Sequence, residues 1–147
     1  MKIIFLAEDD LDDREFFTDA LLDIGIESTL TTAINGMELM ATLDETVIEP
    51  PPPHVIFLDL NMPHKNGFEC LEEIRNSPKL KNIPVAIFST TASENAIETT
   101  FALGANCFVC KPTSHTLLKR AIETVLAFEF WHENNQLSKE NFLLSIK

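Results

Sequence analysis

Five short apolar or β-branched runs recur along the chain, each followed by a longer stretch whose apolar residues return every three or four positions. Lys2–Ala7 (KIIFLA), Ser28–Ala33 (STLTTA), Val55–Asp59 (VIFLD), Pro84–Ser89 (PVAIFS) and Asn106–Cys110 (NCFVC) have the lengths of strands. Three of them are almost wholly apolar, the pattern of strands covered on both faces in a parallel sheet. Between the first two runs, Phe16, Phe17, Ala20, Leu21 and Ile24 recur at helical spacing; Asp12 and Asp13 offer capping oxygens and Gly25 a stop. Helices are also predicted over Met37 to Leu43, over Gly67 to Arg75, and from Ser93 as cap to Leu103 with Gly104 closing. A last helix opens at Thr113 or Ser114 and carries Leu117, Leu118, Ala121, Ile122, Val125 and Leu126. Asn35-Gly36 suits a hairpin turn, but the MELMATL behind it has helical periodicity and argues for a helix. Strict alternation of five such pairs predicts an α/β domain on a five-stranded parallel sheet.

A chain of 147 residues typically forms one domain and buries a sizeable core without a metal or disulfide staple. Its 11 Lys+Arg stand against 23 Asp+Glu, a net charge of −12 with no basic cluster, which argues against a nucleic-acid partner. No apolar run approaches the roughly 18 residues of a membrane span. The run after Lys2 stops at Glu8, too short for a signal peptide, so no membrane partner is expected. Three cysteines, an odd number, fit a reducing cytoplasm better than a disulfide framework. Cys107 and Cys110 form a CxxC inside a predicted strand, where residues three apart face opposite ways; core packing explains them better than redox or zinc chemistry. The prolines at 50–53 read as a stiff loop, and the four histidines lack metal-ligand spacing.

Ligands of an open parallel sheet sit beyond the carboxyl ends of its strands. At those ends lie Glu8-Asp9-Asp10, Asp59, Ser89-Thr90 and Lys111. Two carboxylates about 4 Å apart repel by about 4 kcal/mol at an effective dielectric near 20, so a cation or a raised pKa must accompany such a cluster. Mg2+ (or Mn2+) suits a site of carboxylates plus phosphate. With Lys111 as a point charge for a phosphoryl oxygen, the set describes phosphoryl transfer onto an aspartate.

Four motifs stand in order in the expected strand–helix contexts: FLAEDD, FLDLNMPHKNG, PVAIFSTTA and GANCFVCKP. In these the chain resembles the receiver domain of two-component response regulators over about residues 1–130, and in particular single-domain receivers paired with bacteriophytochrome-type kinases. The resemblance implies a doubly wound, flavodoxin-like (βα)5 fold of strand order 2-1-3-4-5. It implies Asp59 as phospho-acceptor, Lys111 and Ser89 as its partners, and Thr90 as a second choice for the hydroxyl. Asp9 would ligate Mg2+ directly and Glu8 through water, with Asp59 and the Asn61 backbone carbonyl completing the set. That assignment aligns Arg14 with a position often basic in the family; a shifted alignment makes Asp9-Asp10 the acidic pair. Phe108 falls where the family places an aromatic switch residue, commonly Tyr, and lacks its hydroxyl. A histidine kinase is the implied phosphoryl donor, with a downstream protein that the sequence does not name. The chain would then be a cytoplasmic signalling switch that catalyses only its own phosphorylation and dephosphorylation. Two other readings are a pseudo-receiver that only binds partners, and an Asp-nucleophile Mg2+ phosphatase. The phosphatase would want a second Asp at position 61, where the chain has Asn61.

Residues 131–147 read as a C-terminal extension, too short for a helix-turn-helix unit. Phe128, Phe130 and Trp131 carry the apolar content of the last helix onward, and Phe142, Leu143, Leu144 and Ile146 follow a polar stretch. This extension either joins two copies in a homodimer through the last helix and tail or folds back onto its own domain.

Overall fold

Side chains along Lys2–Ala7 (β1) divide between two layers: Ile4 and Leu6 face one, Phe5 and Ala7 the other. The same alternation runs through β3 (Val55–Leu58), β4 (Val85–Ser89) and β5 (Cys107–Cys110), whose apolar character therefore reflects burial on both faces. β2 (Ser28–Ala33) lies at the edge and is correspondingly polar. The computed structural model describes residues 2–47, 53–128 and 136–146. Its helices are α1 (Leu11–Ile24), α2 (Gly36–Thr46), α3 (Gly67–Asn76), α4 (Glu94–Leu103) and α5 (His115–Ala127), each following a strand. All neighbouring strands pair in parallel in the order β2-β1-β3-β4-β5, the doubly wound order that the family resemblance implies.

One layer packs α1 and α5 against the sheet, with Phe17 edge-on to Phe57 and Phe88 at 4.9 and 5.6 Å between ring centroids. The other packs α2, α3 and α4 through Leu39, Leu43, Leu71, Ile74 and Ala96. Arg75 closes the lower end of this second layer: its guanidinium donates to the carbonyls of Gly104, Lys81 and Ile83 and to Asn106 Oδ1. Burial pulls its pKa down to about 10.

Several boundaries differ from the sequence expectation, each for a local reason. The cap of α1 is Asp10, whose Oδ1 accepts from the Asp13 N–H at 3.0 Å; Asp12 and Asp13 sit inside the first turn, where carboxylates favour the helix dipole. The helix expected behind Asn35-Gly36 forms, starting one residue earlier at Gly36 with Asn35 as its cap, and Asn66 caps α3 in a reciprocal box with Glu69. The last helix ends at Ala127, because Phe128 turns to extended backbone (φ −75°, ψ 142°). Phe130 and Trp131, like the prolines at 50–52, lie outside the described residues.

Residues 136–146 return to the domain along the outer edge of β5. A parallel bridge joins Phe108 to Leu143, and Phe142 is fully buried.

Candidate functional site

Strand order reverses between β1 and β3, so the crevice beyond their carboxyl ends is the switch point of the sheet. Two backbone bonds continue the ladders into it: Glu8 N–H donates to Ala33 O at 3.0 Å and Asp59 N–H to Ala7 O at 3.1 Å. Arg14 Nη1 donates to the Glu8 carbonyl at 2.8 Å and fixes the turn into α1. Glu8 and Asp59 are consequently held with 1% and 4% of their surface exposed, while Asp9 is exposed. One carboxylate oxygen from each of Glu8, Asp9 and Asp59 lies within 4.8 Å of the others. Asp10 does not join them, since its carboxylate is engaged in capping α1.

Gly67 lets α3 start hard against this crevice. Its N–H donates to Leu60 O at 3.0 Å, and a Cβ at that position would lie 2.8 Å from Leu60 Cα and closer still to the Asp59 carbonyl oxygen. Between Asn61 and Gly67 the chain makes a tight turn at exposed His64 (φ 67°), where Lys65 N–H donates to Pro63 O at 2.7 Å.

Lys111 enters from the end of β5, anchored by its N–H to Ser89 O at 2.9 Å. Its ammonium is paired with Glu8 and lies 3.2 Å from Asp13 Oδ2 and 3.5 Å from Asp59 Oδ2. The ring of Phe88 lies below it, with its centroid 5.7 Å from Nζ. Burial, with a smaller push from Asp59, outweighs the opposing pull of Lys111 and raises Glu8 to about 8. For Lys111, burial works to lower the pKa, but Glu8, Asp59 and Asp13 outweigh it and the ammonium is stabilised. The ammonium thus stands where charge compensation for the three carboxylates is needed.

Ser89 is buried at the end of β4, its Oγ accepting from Thr91 N–H at 3.1 Å; Thr90 beside it is exposed. Phe108 is fully buried, with Phe142 lying over it at 6.3 Å between ring centroids. The structure therefore brings Glu8, Asp9, Asp59 and Lys111 together and sets Ser89 one strand away. Asp13 was absent from the expected site set. Its signal was its place in the first turn of a helix that begins at the switch point. Cys107 is buried and Cys110 exposed, facing opposite ways as strand geometry requires.

The family model for the response regulator receiver domain matches residues 4–123. The chain belongs to the response regulator receiver family. This receiver is 34% identical to the response regulator Rcp1 of Synechocystis over 135 residues, covering 90% of each chain. Among solved structures it is similar to the phosphorylated cyanobacterial phytochrome response regulator RcpA, with a TM-score of 0.77 and 35% identity over 90% of this chain and 94% of that one. The Mn2+-bound form of Rcp1 gives a TM-score of 0.75 and 32% identity over 90% and 96%. Among the described residues of this receiver, no helix is long and apolar enough to cross a membrane.

Proposed function

We propose that this receiver accepts a phosphoryl group on Asp59 from a phosphohistidine of a cytoplasmic histidine kinase, of the phytochrome class by analogy with RcpA. The observation that carries the reading is a buried nucleophile with its charge compensation in place: Asp59 Oδ2 lies 3.5 Å from the Lys111 ammonium, and one Asp59 carboxylate oxygen lies within 4.8 Å of one from each of Glu8 and Asp9. The donor set is oxygen only, which fits a hard divalent cation, Mg2+ or Mn2+, rather than zinc. Glu8, Asp9, Asp59 and the Asn61 backbone carbonyl would hold it. When bound, such a cation neutralises charge that builds on the transferring group.

The remaining work falls to side chains of the chain itself. An Asp59 oxygen forms the new P–O bond as the P–N bond of the phosphohistidine breaks, the electron pair leaving with the imidazole. Lys111 turns from Asp59 to a phosphoryl oxygen. Ser89 already accepts from Thr91 N–H, so its single hydroxyl proton is free to donate to the phosphate. A phosphatase reading lacks its second acid, because position 61 is an exposed Asn.

Incubation with acetyl phosphate and Mg2+ is expected to give an acid-stable, base-labile adduct of one phosphoryl group, absent from Asp59→Asn. Persistent labelling of that variant would show the acceptor to be elsewhere. Failure to bind Mg2+ in a direct titration would favour the pseudo-receiver.

The position of Glu8 also sets a pH dependence. The folded, metal-free protein holds a proton on Glu8 up to about 8, whereas the unfolded chain releases it near the ordinary value of 4.5. This contribution to stability is present in full below the unfolded value and is lost as pH rises through the folded one. With EDTA present, the urea midpoint should therefore fall between about pH 5 and about pH 9, and Glu8→Gln should flatten that fall. An equal slope in the variant would remove Glu8 as its source.

A further inference from the structure

β5 carries the active-site lysine at one end and the C-terminal segment along its side. Phe108 N–H donates to Phe142 O and Leu144 N–H to Phe108 O, both at 2.9 Å. Upstream, Leu137 N–H donates to Asn106 O at 3.1 Å, and the Gln136 side-chain amide donates to Phe101 O and Ala105 O at 2.7 and 2.9 Å. The Phe142 ring is fully buried, edge-on to Phe101 of α4 at 5.2 Å and near Phe108 at 6.3 Å. Leu144 and Ile146 pack against the opposite layer, so the segment straddles the sheet edge.

Without this segment the Phe108 N–H and C=O would be an unpaired strand edge, a form of backbone that readily accepts another strand. The cover is nonetheless limited: three backbone bonds, two bonds from the Gln136 amide and one fully buried side chain, Phe142, hold it, while residues 138–141, 143 and 145 are exposed. Segments held by so few buried contacts open at low free energy. Only Val109 and Cys110 separate Phe108 from Lys111, whose ammonium must exchange carboxylate for phosphate when Asp59 is modified.

We propose that residues 136–146 are a detachable cover seated in cis on the β5 edge, and that phosphorylation of Asp59 loosens it, so that release of the cover is how the phosphorylated state is expressed. The inference rests on Asp59 being the acceptor. Because coupling between two sites is reciprocal, weakening the cover must favour the phosphorylated state by the same factor.

Hydrogen exchange read by mass spectrometry on the full chain tests this, with intact mass reporting the adduct in the same samples. In the phosphorylated protein, peptides spanning 137–146 are expected to exchange about tenfold faster, while β1 and β3 keep their protection; Asp59→Asn should show no change. Phe142→Ala should bind Mg2+–beryllofluoride, a phosphoryl mimic, about tenfold more tightly, with β1 and β3 protection certifying its fold. A measured adduct with unchanged exchange over 137–146 overturns the cover while leaving the acceptor intact, as does unchanged beryllofluoride affinity in Phe142→Ala. Absence of any adduct overturns the acceptor and the cover with it.

Discussion

Gly67→Ala is expected to unfold several degrees below the parent protein and to accept phosphate about a hundredfold more slowly at temperatures where it is folded. A methyl group there runs into the backbone at the end of β3: Leu60 Cα at 2.8 Å, the Asp59 carbonyl carbon at 3.0 Å and the Asp59 carbonyl oxygen closer still. The three nearest atoms are all backbone, so either α3 or the end of β3 must shift. Overpacking of this kind costs about 1–3 kcal/mol, or roughly 2–10 °C in Tm for a chain of this size. The φ of Gly67 is not in the left-handed region, so the requirement for glycine here is one of space. The shift falls on the residue that bears the nucleophile, and a displacement of about 1 Å is enough to cost two orders of magnitude in rate. Thermal melts and acetyl phosphate labelling, corrected for the folded fraction, measure the two effects. Labelling at the parental rate would show that Asp59 does not depend on this contact.

Lys111→Met should slow phosphorylation by about a hundred- to a thousandfold, the usual loss when one charge-stabilising donor is removed from a phosphoryl or oxyanion site. Methionine keeps most of the apolar stem over Phe88, so the change is chiefly one of charge. In the metal-free protein the ammonium is the cation nearest Glu8 and Asp59, and its own side chain is only 10% exposed. Removing one partner of a buried pair costs about 3–5 kcal/mol, and the full loss should appear only at alkaline pH, because at lower pH Glu8 can take up a proton instead. Mg2+ affinity should move the other way and tighten, since the resident ammonium no longer competes for the same oxygens. Calorimetric Mg2+ titration and urea midpoints at two pH values distinguish these outcomes. Unchanged Mg2+ affinity together with a parental labelling rate would remove Lys111 from the site.

Both results turn on contacts between residues far apart in the chain, and the elements that make those contacts were legible to different degrees. Fully apolar runs such as VIFL and VAIFS announced strands covered on both faces, because a strand facing water on one side must alternate. Cap residues were readable where one candidate stood alone, as Ser93 does before α4. They misled where several competed. In the run Glu8-Asp9-Asp10-Leu11-Asp12-Asp13 any of four aspartates can cap, and a shift of two residues in the start of α1 changes which carboxylates remain free for the crevice. The end of α5 was misread for a related reason: Phe128 continues the apolar content, but apolar content does not oblige backbone to stay helical.

Periodicity, turn chemistry and four ordered motifs were enough to determine the alternating architecture, the family, and a set of acidic, hydroxyl and basic residues at the strand ends. These are local signals, carried by spacings of a few residues. Only the folded chain decided that Asp10 is spent on a helix, that Asp13 reaches Lys111, that Gly67 must lack a Cβ, and that Phe142 seals Phe108. Each of these depends on distances set by the packing of one element on another, and no spacing along a single segment encodes them.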